Sequence, residues 1–151
     1  MATTRYVRPA RATDLLNRTV AALARLGLSV RGARLLYVRG RKTGEWRGTP
    51  VNVLSYDGAR YLVAPRGHTQ WVRNLRAAGE GQLRLGRHIE RFSPTELADA
   101  DKPAVLRAYL ERWQFESGSF FHGVRPDAPD QQLLRIAAGY PVFRIASVPA
   151  E

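Results

Sequence analysis

Between Gly40 and Pro50 the sequence reads Gly40-Arg41-Lys42-Thr43-Gly44-Glu45-Trp46-Arg47-Gly48-Thr49-Pro50, and it gathers the residue types that dock an anion. Arg41, Lys42 and Arg47 place three cations around one connection, and Thr43 and Thr49 add hydroxyl donors. Charge-assisted bonds to phosphate or carboxylate draw on such a set, the guanidinium giving planar forks and the ammonium a point charge. Gly40 and Gly44 allow backbone angles that other residues resist. The same composition also suits a solvated turn whose charges keep a sheet edge from aggregating, and the stretch lacks a phosphate-loop signature.

A second group lies in Gln70-Trp71-Val72-Arg73-Asn74-Leu75-Arg76-Ala77-Ala78, where Trp71, Asn74, Leu75 and Ala78 share one helical face. An unpaired buried amide costs ~1–3 kcal/mol, so an inward Asn74 must find partners. It either ties a neighbouring loop in place or positions a ligand. Trp71 is either a core anchor or the wall of a flat-ring pocket. Covalent and metal chemistry find little support. The chain has no cysteine, which excludes a thiolate nucleophile, and His68, His88 and His122 lack metal-ligand spacing. For a proton donor the sequence offers Tyr109, His122 and Tyr140.

These residues need a scaffold, and 151 residues at 44% hydrophobic fit one domain over 1–151, with residues 1–12 as a basic arm, loose or docked. Lys plus Arg number 24 against 13 Asp plus Glu, a formal net charge of +11 that attracts anions of any kind. Nucleic acid, an acidic membrane surface and a phosphorylated or carboxylated small molecule all qualify. The arginines are dispersed along the chain instead of clustered with aromatics as a stacking platform requires, which argues against nucleic acid. No apolar run reaches the ~20 residues of a membrane span, and no secretory leader is evident, so a soluble, cytoplasmic protein is expected.

The elements follow from pattern. Leu35–Val38, Val51–Tyr56 and Ala59–Ala64 read as strands, the first two joined by the cationic connection and the last two by the turn Asp57-Gly58. Gln82–Leu85 and His88–Phe92 add two more, and Tyr140–Ile145 closes the set. Helical stripes occupy Asp14–Leu26, Gln70–Ala78 with Thr69 as its cap, a stretch opening at Pro103 with Leu106, Tyr109, Leu110 and Trp113, and Asp130–Ala138. The first helix covers a barrel end or, on the sharper reading, rests on a membrane interface. Gln114–Arg125, with Phe115, Phe120, Phe121 and His122 among Ser and Gly, is expected to be a mobile aromatic loop or an ordinary linker. The fold class is α+β, a mostly antiparallel barrel of about six strands.

The ordered combination of Gly40-Arg41-Lys42-Thr43-Gly44, Arg47, Thr49-Pro50, Asp57-Gly58 and Trp71-Val72-Arg73-Asn74-Leu75 resembles the deazaflavin-dependent nitroreductase family, over about Leu35 to Phe92. The resemblance implies a split β-barrel and a ligand, coenzyme F-420, that is an 8-hydroxy-5-deazaflavin with a phosphodiester and an oligoglutamate tail. It implies that Arg41, Lys42, Thr43 and Arg47 hold the anionic end, and that Thr49, Pro50, Val51 and Asn52 line the ring. Ala64, Pro65, Arg66 and Gly67 would border it, with Trp71 and Asn74 closing the pocket. The implied activity is hydride transfer between the deazaflavin and an enone, quinone or nitro compound, by a monomer or homodimer. FMN in the same barrel and a non-catalytic carrier of cofactor or amphiphile are the alternatives.

Overall fold

The computed structural model describes residues 5–6 and 33–149. Six strands, β1 (Ala33–Arg39), β2 (Trp46–Tyr56), β3 (Ala59–Val63), β4 (Gly81–Leu85), β5 (His88–Glu96) and β6 (Val142–Ser147), close into a barrel in the order β1-β2-β3-β6-β5-β4. Every pairing is antiparallel. Three α-helices accompany it among the described residues: α1 (Gln70–Ala78), α2 (Pro103–Ser117) and α3 (Asp130–Ile136). The expected helix at Asp14–Leu26 lies outside the described residues, as does the basic arm apart from Arg5 and Tyr6.

Strand alternation sorts the apolar residues into two cores. Leu36 and Val38 of β1, Leu62 of β3, Leu83, Phe92, Phe143 and Ile145 fill the barrel, and Val72 and Leu75 of α1 plug its end. Leu54 and Val63 face the other way and meet Leu106, Tyr109, Leu110 and Trp113 of α2 with Leu133 of α3. The turn Asp57-Gly58 takes positive φ at both residues, 49° and 76°, as a tight hairpin demands. Gly79 ends α1 in the left-handed region, its N–H on Leu75 O at 2.9 Å. Thr69 occupies the N-cap position of α1, yet its side chain makes no cap bond.

β5 runs to Glu96, past the expected Phe92, β6 is Val142–Ser147 where Tyr140–Ile145 was expected, and two further expectations are corrected. The connection after β1 is only Gly40–Glu45, because Trp46–Pro50 continue the strand and pair with Arg39 to Leu35. The expected aromatic loop begins as helix: α2 runs to Ser117 with a kink at Trp113 (φ −126°, ψ 25°), and Gly118–Phe121 forms a 3-10 turn. Burial overrides the loop-like composition there. Phe121 is fully buried and stacks on Tyr140, ring centroids 4.4 Å apart.

The parting of β2 from β3 positions the site. Their ladder runs from Tyr56↔Ala59 only as far as Val53↔Leu62. Continuing that register would set Pro50 opposite Pro65, and neither residue has an N–H to donate across the gap. β3 parts from β2 after Leu62 and stays with β6, Val63 pairing with Val142 and Ala64 N–H donating to Pro141 O at 2.9 Å. From Arg47 to Asn52, β2 keeps β1 on one side and has no ladder partner on the other among the described residues.

Candidate functional site

The open edge of β2 is accessible in a way that a barrel strand normally is not. Trp46, Arg47 and Gly48 are exposed and Thr49 to Val53 are all half-buried, whereas four of the seven residues of β1 are buried. The register with β1 divides their side chains. Arg47 and Thr49 stand on the barrel-inner face beside Val38 and Leu36, whereas Pro50 and Asn52 stand on the outer face beside Leu35 and Ala33. The four residues from Thr49 to Asn52 thus share a strand edge but not one row of side chains.

At one end of this edge the hairpin turn holds the cations. Gly40 N–H donates to Glu45 O at 2.7 Å and Gly44 N–H to Gly40 O at 2.8 Å, with Gly44 at φ 72°. Thr43 Oγ1 accepts from Glu45 N–H at 3.2 Å, so its hydroxyl shapes the turn as well as facing solvent. Lys42 and Arg47 are exposed. Arg41 is anchored: its N–H and its Nη1 both donate to Asn74 Oδ1, at 3.1 and 2.8 Å, and Nη1 also reaches Gln70 Oε1 at 2.9 Å. Asn74, 4% exposed, therefore ties the neighbouring loop in place, the first of its two readings. Beside the turn, Arg39, Arg41, Trp46, Ala77 and Glu80 line an open cleft of about 270 Å³.

The segment that follows β3 begins where that strand has parted from β2. Ala64 and Gly67 are buried, and Pro65 and Arg66 are half-buried. The backbone donors here are largely committed: Gly67 N–H to Ala64 O, His68 N–H to Arg5 O and Thr69 N–H to Gly67 O. Trp71, half-buried on α1, packs against the barrel core with its ring centroid 6.0 Å from that of Phe143. It is a core anchor, the first of its two readings.

The proton-donor candidates do not gather here. Tyr109 is 3% exposed and packs against Trp113 and Phe121 in the helical core. Tyr140 is 2% exposed, and its hydroxyl donates to Phe120 O. Burial pushes its phenol above the ordinary range. His122 is exposed on a turn at φ 50°. Among the described residues no cluster of three His, Cys, Asp or Glu could hold a metal ion, and no helix is long and apolar enough to cross a membrane.

Sequence reasoning missed Arg5, Gln70 and His68. Gln70 holds Arg41, and His68 sits between Arg76 Nη1 on its Nδ1 and Ala138 O on its Nε2, each at 3.1 Å. Arg76 in turn forks onto Glu96, which holds its guanidinium pKa above the ordinary value. Apart from the His68–Arg76 contact, 8 positions apart, these contacts join residues 20 to 70 positions apart, and no local pattern announces them.

Comparison with known proteins bears on this arrangement. The model of a family described as F420H2-dependent quinone reductase matches residues 11–116. No curated protein sequence matches. Among solved structures, an F420-H2 dependent reductase (FDR-A) aligns with a TM-score of 0.54 at 18% identity, covering 77% of this chain and 95% of that one. A structure described as a domain-swapped dimer aligns at 0.56 and 17%, covering 89% and 99%. The protein Atu2129 of Agrobacterium tumefaciens, of unknown function, aligns at 0.53 and 14%, covering 93% and 57%. At these identities the likeness is one of fold.

Proposed function

This chain belongs to the F420H2-dependent quinone reductase family, and we propose that it passes a hydride to a quinone, enone or nitro acceptor with its cofactor lying along the open edge of β2. Membership makes it an oxidoreductase that works with coenzyme F-420, as the resemblance implied. The acceptor and the residues that do the work are the proposal. One observation carries it: the edge from Arg47 to Asn52, with no ladder partner on its β3 side among the described residues, runs from a cationic turn to the place where β3 parts from β2 ahead of Pro65–Gly67. A long ligand with an anionic tail and a flat ring matches those two halves.

When bound, the reduced deazaflavin supplies the hydride at C5 of its ring, and the protein contributes orientation and exclusion of water. Arg41, Lys42 and Arg47 give the tail its counter-charges, with Thr43 at the turn. Thr49, Pro50, Val51 and Asn52 border the ring from β2, and Ala64, Pro65, Arg66 and Gly67 from the facing segment. Trp71 closes the barrel mouth. Asn74 acts through Arg41, whose backbone and guanidinium it holds. Tyr109 and Tyr140 are core residues, which leaves His122 as the candidate proton donor whose side chain meets solvent.

On this reading the protein is cytoplasmic, and sedimentation distinguishes a monomer from a homodimer. The test is a fluorescence titration with oxidised coenzyme F-420 beside FMN, on the native protein and on Lys42→Ala and Arg47→Ala. Micromolar binding that both substitutions weaken supports the site. Preferential binding of FMN overturns the cofactor assignment. Tight binding with no turnover of menadione, cyclohexenone or a nitroaromatic under the reduced cofactor makes the protein a carrier.

A further inference from the structure

Arg5 belongs to no motif in the sequence, yet it joins three parts of the molecule. Its Nη1 donates to Pro65 O at 2.6 Å and its Nη2 to Phe120 O at 2.8 Å. Its guanidinium carbon lies 4.5 Å from the centroid of the Tyr140 ring. Its carbonyl accepts from His68 N–H at 2.6 Å, and Tyr6 forms an antiparallel bridge with Gly67. Gly67 is what lets this segment lie down. It takes φ +89°, and a Cβ there would stand 2.1 Å from the Arg5 carbonyl oxygen. Phe120 O also accepts the Tyr140 hydroxyl, so one carbonyl receives two donors.

These bonds converge on Pro65–His68, the segment that follows β3 where it has parted from β2. Resting on the deazaflavin reading above, we propose that Arg5 is a positioning residue for the cofactor. It sets the backbone of Pro65–His68 and ties it to the turn Gly118–Phe121 before any ligand arrives. A segment already held in its bound shape loses less freedom on binding, and affinity rises accordingly. Two planar N–H groups on two carbonyls from distant elements require the guanidinium fork. A lysine carries the charge without that geometry.

The test uses the full chain and three variants: Arg5→Gln, Arg5→Lys, and Gly67→Ala, which disturbs the same junction with Arg5 intact. Exchange of the His68 amide is followed in ligand-free protein, and oxidised coenzyme F-420 is titrated by fluorescence at a temperature where all variants are folded. Faster His68 exchange is expected in Arg5→Gln and Gly67→Ala, with a Kd raised about tenfold in each and less in Arg5→Lys. A clamp that served stability alone would lower Tm and leave Kd unchanged, and that result overturns the proposal. Unaltered His68 exchange in Arg5→Gln overturns it too. Native protein that fails to bind the deazaflavin overturns the functional reading, and the role given to Arg5 falls with it. Native binding that Arg5→Gln does not weaken overturns only the latter.

Discussion

Replacing Asn74 by alanine tests whether the cationic turn is organised for a ligand. The substitution removes one acceptor atom that holds two donors of Arg41, the backbone N–H at 3.1 Å and Nη1 at 2.8 Å. A neutral bond contributes about 1 kcal/mol and a charge-assisted one about 1.5–3 kcal/mol. Because Arg41 is exposed and keeps Gln70 Oε1 at 2.9 Å, the second figure falls toward its lower end. The expected loss is about 2 kcal/mol. For a domain of this size that lowers Tm by roughly 4–8 °C. The turn itself should persist, since its bonds from Gly40 to Glu45 and from Gly44 to Gly40 do not involve Asn74.

The functional effect is separable from the thermal one. Freed from Asn74, the Arg41 guanidinium must be ordered by the ligand, and ordering a long side chain costs about 0.5–1.5 kcal/mol. Deazaflavin affinity should fall about three- to tenfold, with kcat on a saturating quinone nearly unchanged. Asn74→Asp adds a control, because it restores an acceptor and strengthens the hold on Arg41 while placing a negative charge near the anion. Its Tm should recover and its affinity should not. An Asn74→Ala protein with lowered Tm and native affinity would refute the reasoning and make the Arg41–Asn74 contact purely architectural.

Other substitutions read other parts of the structure. Glu90, bonded by Arg60 and then by Ser147, has its carboxyl pKa lowered to about 2. A depressed carboxyl stabilises the fold above its unfolded value and loses that contribution as pH falls through the folded one. Chemical denaturation should therefore show Glu90→Gln about 1 kcal/mol less stable near neutral pH, after discounting for solvent screening, and the gap to native protein closing between about pH 4.5 and 2. Tyr140→Phe removes the hydroxyl bond to Phe120 O and should cost about 1–2 kcal/mol while leaving kcat within about twofold, as expected of a residue buried in the core; a kcat loss beyond about tenfold would return it to the chemistry. Gly81→Ala places a Cβ 2.6 Å from the Phe92 ring inside the barrel and should cost about 1–3 kcal/mol by overpacking, read as a shift in the urea midpoint. Lys42→Ala should weaken deazaflavin binding mainly at low salt, because its ammonium is exposed and screened.

What could be read from the sequence and what could not differ in the range of the interactions concerned. The turn Asp57-Gly58, the face of α1 and the β4–β5 hairpin are set by neighbours a few residues apart, and their patterns are plain. Trp46–Pro50 looked like loop because Gly and Pro punctuate it, but the register with β1 decides, and Pro50 is tolerated where β2 has no partner on its β3 side among the described residues. Gln114–Ser117 looked like loop for its composition, and burial of the aromatic cluster around Trp113 and Phe121 decided otherwise.

The site shows the same division more sharply. Its cations are legible because an anion needs several donors close together, and a hairpin places them by sequence proximity alone. The opening beside them is traced to two prolines fifteen positions apart in the chain, and it becomes visible only once the ladder register is extended to where Pro50 would meet Pro65. Arg5 is out of reach even then, since nothing in residues 1–12 distinguishes it from Arg8 or Arg11. What singles it out is the glycine it lies on: Gly67, in a φ that L-residues avoid, is the sequence's one mark that another backbone passes there. A glycine in a loop that already has proline at its start reads locally as a turn, and its second role appears only with the docked segment in view.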